Sequence, residues 1–97
     1  MKTKINGKTY NTDTAKLVGY YKTPLTYSDF GFYMESLYRK RTGEYFLHGD
    51  GGPMTKYAKS CADGSIGWGE AIIPMTEAKA AKWLERRKDS DNYTEAW

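Results

Sequence analysis

Apolar positions along the chain come in short alternating bursts separated by glycine, and the clearest bursts form a pair. Glu35-Ser-Leu-Tyr-Arg-Lys-Arg-Thr-Gly-Glu-Tyr-Phe-Leu-His48 sets two runs rich in Leu, Tyr and Phe around a polar stretch with a single Gly. That is the signature of a β-hairpin. A two-residue turn at Thr42-Gly43 would need positive φ at its first central residue, which β-branched Thr resists. The pattern therefore predicts a three-residue loop, Arg41-Thr42-Gly43, with Gly43 left-handed at a bulge. This register sets Leu37 against Leu47 on one face and Tyr38 against Phe46 on the other, so both faces carry apolar weight.

Asn6-Gly7 tolerates positive φ at both residues and predicts a ribbon of residues 3–5 with 8–10, at a sheet edge that its lysines protect. Asn11-Thr-Asp-Thr14 bonds its own backbone; Ala15, Leu17, Val18, Tyr20 and Tyr21 suit a short helix or a strand, Gly19 weakening both, and the favoured reading is a turn or cap leading into a strand over 16–22. Residues 23–31 read as a loop marked by Pro24, Ser28-Asp29 and Gly31, with Leu25, Tyr27, Phe30 and Phe32 pinning it to the core. Gly49-Asp-Gly-Gly-Pro53 breaks the strand, and Pro53 opens a short helix through Met54, Tyr57 and Ala58. Residues 60–69 are a second glycine-rich loop, and 70–73 a brief strand that Pro74 ends.

Thr76 caps the clearest helix, over about 77–88, with Glu77 favouring its positive end. Met75 and Ala80 stand at the positions of a hydrophobic staple. Ala80, Trp83, Leu84 and Arg87 repeat at helical spacing, which centres a short buried stripe on Trp83. Residues 89–97 either fray or add a last helical turn that docks Tyr93 and Trp97. The order predicts an α+β fold: a small antiparallel sheet built on a central hairpin (about 33–48), with the C-terminal helix packed on it.

Composition adjusts this picture in three places. The 97 residues predict a single domain, 1–97, and the apolar fraction of 39% is low while aromatics reach 15%, so large rings build the core. The net charge of +3 suits nucleic-acid contact without requiring it. One cysteine, Cys61, supplies neither a disulfide nor a zinc site within a monomer; it reads as a packed thiol in a reducing, cytoplasmic setting. The first residues lack the apolar run of a signal peptide, and no stretch is long enough to span a membrane.

Candidate chemistry is sparse. His48 with Asp50 suggests an acid–base pair, but the flanking glycines favour turn geometry, and a site needs more convergent groups. Gly49-Asp-Gly-Gly lacks the Lys-Ser/Thr of a phosphate loop. Without a motif for a Ser–His triad, a metal or a cofactor, the chain is expected to be no enzyme. Two basic groups remain: Arg39, Lys40 and Arg41 at the hairpin tip, and Arg86, Arg87 and Lys88 at the helix end. Interleaved with tyrosines, they suit phosphate contact and base stacking; the alternative is a solvated turn and an ordinary helix terminus.

Four stretches carry a resemblance. They are Met-Lys-Thr-Lys-Ile-Asn-Gly-Lys-Thr-Tyr-Asn-Thr-Asp-Thr-Ala15, Glu35-Ser-Leu-Tyr-Arg39, Gly43-Glu-Tyr-Phe-Leu-His-Gly-Asp-Gly-Gly-Pro-Met-Thr-Lys-Tyr-Ala58 and Gly69-Glu-Ala-Ile-Ile-Pro-Met-Thr-Glu-Ala-Lys-Ala-Ala-Lys-Trp-Leu-Glu85. Together they resemble a group of small proteins from phages and mobile elements of Firmicutes. In size, composition and genomic company that group is similar to anti-CRISPR proteins, above all inhibitors of the type II effector Cas9. The resemblance implies a protein partner (Cas9 or its guide-RNA-loaded complex) bound in the bacterial cytoplasm and blocked by occlusion or disturbed assembly. It carries over no catalytic residue. The second expectation is a small nucleic-acid-binding accessory or regulatory protein of a mobile element, and the third a structural interaction module.

Overall fold

In the computed structural model, which describes residues 1–96, the Asn6-Gly7 turn joins β1 (Lys2–Ile5) to β2 (Lys8–Asn11), with Asn6 at φ 51°. The Asn11 side chain accepts from the Asp13 amide and fixes the turn before β3 (Lys16–Lys22). The central hairpin is β4 (Tyr33–Arg39) with β5 (Tyr45–Gly51). Its loop is Arg41-Thr42-Gly43. The Lys40 amide donates to the Glu44 carbonyl, the Gly43 amide donates to the Lys40 carbonyl, and Gly43 stands at φ +91°. A short ribbon, β6 (Lys59–Ser60) with β7 (Ile66–Gly67), precedes β8 (Gly69–Met75). Helix α1 (Glu77–Arg87) and β9 (Tyr93–Glu95) follow, the helix capped by the Thr76 hydroxyl accepting from the Lys79 amide.

The main sheet has five strands in the order β8-β5-β4-β3-β9, every neighbouring pair antiparallel. Leu37 lies opposite Leu47 and Tyr38 opposite Phe46. On the first face, Leu37 and Leu47 pack against Ala80 and Trp83 of α1. On the other, Phe46 and Ile72 pack against Tyr10 of the β1–β2 ribbon. Tyr10 meets Phe46 edge-on at 5.4 Å, and Tyr38 stacks on it at 5.2 Å. A sheet with weight on both faces needs two covers, and the helix and the ribbon are those covers.

Several expectations give way. The β1–β2 ribbon is a separate two-stranded sheet laid across a face of the main one instead of extending its edge, because burying Tyr10 draws it inward. In the loop before β4 only Phe32 is buried, at 4% exposure; Leu25, Tyr27 and Phe30 stay exposed. Pro53 starts no helix. Residues 52–58 form two turns, closed by the Thr55 amide on the Gly52 carbonyl and the Ala58 amide on the Thr55 carbonyl, while Tyr57 swings into the core. The expected loop over 60–69 contains the β6–β7 ribbon, with Cys61 exposed in its turn. Pro74 lies inside β8, where the unpaired outer side of an edge strand tolerates a missing N–H. The tail forms β9 on β3, neither fraying nor continuing the helix, and Tyr93 meets Trp83 edge-on at 6.0 Å. The docking expected of Trp97 falls outside the described residues. No helix among them is long and apolar enough to cross a membrane.

Candidate binding surfaces at the two ends of the sheet

Glu35 is two residues before Leu37 on β4, and strand alternation turns both toward the helix. It is 1% exposed. Its carboxylate accepts from the Tyr57 hydroxyl at 2.5 Å and from the Trp83 indole N–H at 3.0 Å. The Lys56 ammonium lies 2.8 Å away and the Arg87 guanidinium 3.7 Å. Arg87 also donates to the Tyr33 hydroxyl at 3.2 Å and covers the Tyr21 ring at 4.2 Å. Gly49 makes room for this, since a Cβ there would collide with the Tyr57 ring. Burial pushes the Glu35 carboxyl up, but hydrogen bonds from Lys56, Tyr57 and Trp83 outweigh it and hold the group below its ordinary range. Burial, with the Glu35 carboxylate second, pushes the Tyr57 phenol up, so Tyr57 stays a donor at neutral pH. With both oxygens engaged, Glu35 ties the sheet, the 52–58 turns and the helix together.

That cluster accounts for one of the six basic residues nominated from the sequence. Arg87 is half-buried against Glu35, while Arg86 and Lys88 are exposed at the helix end. The helix ends beside Tyr33, at the start of β4, and the basic tip lies at the far end of the same strand. The two basic groups are thus separated by roughly 20 Å and form no common patch.

At the tip, Lys40 folds back, its ammonium 3.2 Å from Glu44 and 4.5 Å from the centre of the Tyr10 ring. Glu44 also pairs with Lys8 at 2.9 Å, and hydrogen bonds from Lys8, Lys40 and Thr42 push its carboxyl down to about 2. Arg39 extends over Tyr45, and Arg41 is exposed. The fold brings further lysines to them. Between the 12–15 turn and the hairpin tip runs a groove of two cavities, about 430 Å³ and about 340 Å³, which share Thr14, Ala15, Lys40 and Arg41. Lys2 lines the first cavity, Lys16 and Arg39 the second, and no carboxylate lines either. The sequence reading missed Lys2 and Lys16, because nothing local shows that the ribbon folds across the sheet toward the tip.

The opposite end of the hairpin is apolar. Tyr27 and Trp68 stack at 5.0 Å with 14° between their planes, and the buried Phe32 backs both at 5.0 Å and 6.0 Å. Tyr27 is 70% exposed, and Phe30 and Met54 are 62% and 77% exposed. The Met54 amide donates to the Phe30 carbonyl at 2.9 Å, tying the 52–58 turns to this loop. Sequence reasoning pinned Tyr27 and Phe30 to the core with Phe32 and left Trp68 in a glycine-rich loop; of these only Phe32 is buried.

The glycine-rich stretch after His48 remains strand through Gly51, so it cradles nothing. His48 Nε2 is 2.9 Å from Glu70 Oε2, a cross-sheet pair at the surface. Burial pushes the neighbouring Asp50 carboxyl up. Among the described residues no group of three or more His, Cys, Asp or Glu is placed to hold a metal ion. In comparisons with known proteins, no family model, no curated protein and no solved structure matches the chain.

Proposed function

We propose that this chain is a non-catalytic inhibitor of the anti-CRISPR kind, which binds a nucleic-acid-handling effector in the bacterial cytoplasm and blocks it by occupying its surface. The effector is Cas9, alone or loaded with guide RNA. The observation that carries this reading is the exposed aromatic end. Tyr27 and Trp68 stack on each other over a buried Phe32, and Phe30 and Met54, joined by a backbone hydrogen bond, are exposed in the neighbouring segments. Trp and Tyr anchors on a rigid base supply most of the free energy of protein–protein contacts, and exposed apolar clusters of this kind mark such contacts. Arg39 and Arg41, with Arg86 and Lys88, add positive charge that speeds encounter with an acidic or nucleic-acid-bearing partner. A second reading, a small nucleic-acid-binding accessory protein, draws support from the groove at the basic tip.

The test is capture of apo and guide-loaded Cas9 on the immobilised chain. The wild type is expected to retain the effector, and Tyr27→Ala with Phe30→Ser to lose at least about tenfold in affinity, the loss of a hot spot. Failure to retain either form rejects the inhibitor reading.

A further inference from the structure

We propose that the groove at the hairpin tip is a binding site for consecutive phosphodiesters of a nucleic-acid strand. Beside Arg39, which extends over the Tyr45 ring, its cations come from three separate segments: Lys2 from β1, Lys16 from the start of β3 and Arg41 from the tip. Among the described residues none of these three has a carboxylate within ion-pair distance, whereas Glu44 engages Lys8 and Lys40 nearby. The contrast defines the site. Lys40 forms a wall already neutralised from within, and Lys2, Lys16 and Arg41 are exposed.

The remaining wall is polar. Thr9 offers a hydroxyl, Thr14 and Thr42 already donate theirs to the Asn11 carbonyl and to Glu44, and Ala15 is the one apolar residue on it. Lysine, arginine and short hydroxyl side chains are what phosphate oxygens receive in nucleic-acid complexes. A protein partner would instead need an apolar centre, which this groove lacks and the aromatic end has. No aromatic ring lines the groove, so the site reads the backbone and not the bases. The site deepens the reading of the chain as a ligand of a nucleic-acid-handling effector and rests on it for its biological setting; a partner carrying both protein and strand then meets the two ends together.

The experiment uses the chain alone, so its outcome is independent of effector capture. Fluorescence anisotropy follows a labelled single-stranded RNA, and a DNA of the same length, across a salt series. With three cations engaged, log affinity is expected to fall against log salt with a slope of about −2. RNA and DNA should bind within about threefold of each other, because phosphates are shared between them. Lys2→Glu, Lys16→Glu and Arg41→Glu together are expected to lose at least tenfold and to flatten the slope. Lys59→Glu, Lys79→Glu and Lys82→Glu, exposed residues that line neither cavity, change net charge equally and should lose less than threefold. Should the triple reversal fail to fold, Lys16→Gln with Arg41→Gln replaces it, with a loss of at least threefold expected. Four results overturn the site: no RNA binding by wild type at low salt, equal losses in groove and control variants, a preference above tenfold for RNA or DNA, or displacement of RNA by poly-glutamate at equal charge concentration.

Discussion

Cations occur in two electrostatic settings in this molecule. At the centre of the helix face, Lys56 and Arg87 are matched to one buried carboxylate, Glu35, which also takes the Tyr57 hydroxyl and the Trp83 indole. At the hairpin tip, Lys2, Lys16 and Arg41 border a groove whose lining holds no carboxylate. The residue types are the same and the roles differ. A basic residue matched to a buried carboxylate is spent on stability; one left unmatched at a concave surface is free for a ligand. Arg87 makes the point sharply, since it sits between two exposed basic neighbours and alone turns inward.

The largest effect should come from breaking the matched set. Glu35→Gln weakens the buried hydrogen bonds from Tyr57 and Trp83 and unpairs Arg87, while Lys56, 61% exposed, rehydrates, and losing hydrogen bonds to a charged group costs about 1.5–3 kcal/mol each. Urea denaturation measures it. The pH dependence gives a second reading of the same group. Glu35 has a folded-state value held below its unfolded one, so its contribution is complete above an unfolded value of about 4.3 and is lost as pH falls through the folded value. The gap between wild type and Glu35→Gln should therefore shrink on acidification below that point. A gap independent of pH would mean that the cluster acts by packing alone.

An intermediate effect is expected where the tip's shape, and not its charge, is changed. Gly43 stands at φ +91°, a region β-branched residues avoid. Gly43→Val should cost about 1–3 kcal/mol by forcing a rare backbone geometry. An unchanged melting temperature would show that the loop relaxes freely, and that the groove beside it has no fixed wall.

Much of this arrangement is legible in the amino-acid sequence. The hairpin register followed from Thr42 refusing positive φ and from the alternation around it, and the helix from Thr76 and the Ala80–Trp83 spacing. What escaped depends on partners distant in the chain. Tyr57 abandons the expected helix because Glu35, 22 residues earlier, takes its hydroxyl. β9 forms because the edge of β3 is open, a fact absent from its polar sequence. Glu35 itself lay on the Leu37 face of a readable strand; its burial was hidden by the general rule that carboxylates face water. Half of the groove was visible as Arg39, Lys40 and Arg41, and half was not, since Lys2 and Lys16 reach it through the fold.

The smallest expected effect on stability, and the most direct test of the contrast, comes from the groove charges. Substitutions at exposed sites are usually neutral to within about 0.5 kcal/mol, and a ligand that binds only the folded chain raises its melting temperature. Thermal denaturation of wild type and of the Lys2→Glu, Lys16→Glu, Arg41→Glu variant, each with and without a short single-stranded RNA, reads both. The account predicts equal melting temperatures without RNA, a rise for wild type with RNA, and no rise for the variant. A variant that melts well below wild type without RNA, or that rises as wild type does with it, would contradict the division between matched and free cations.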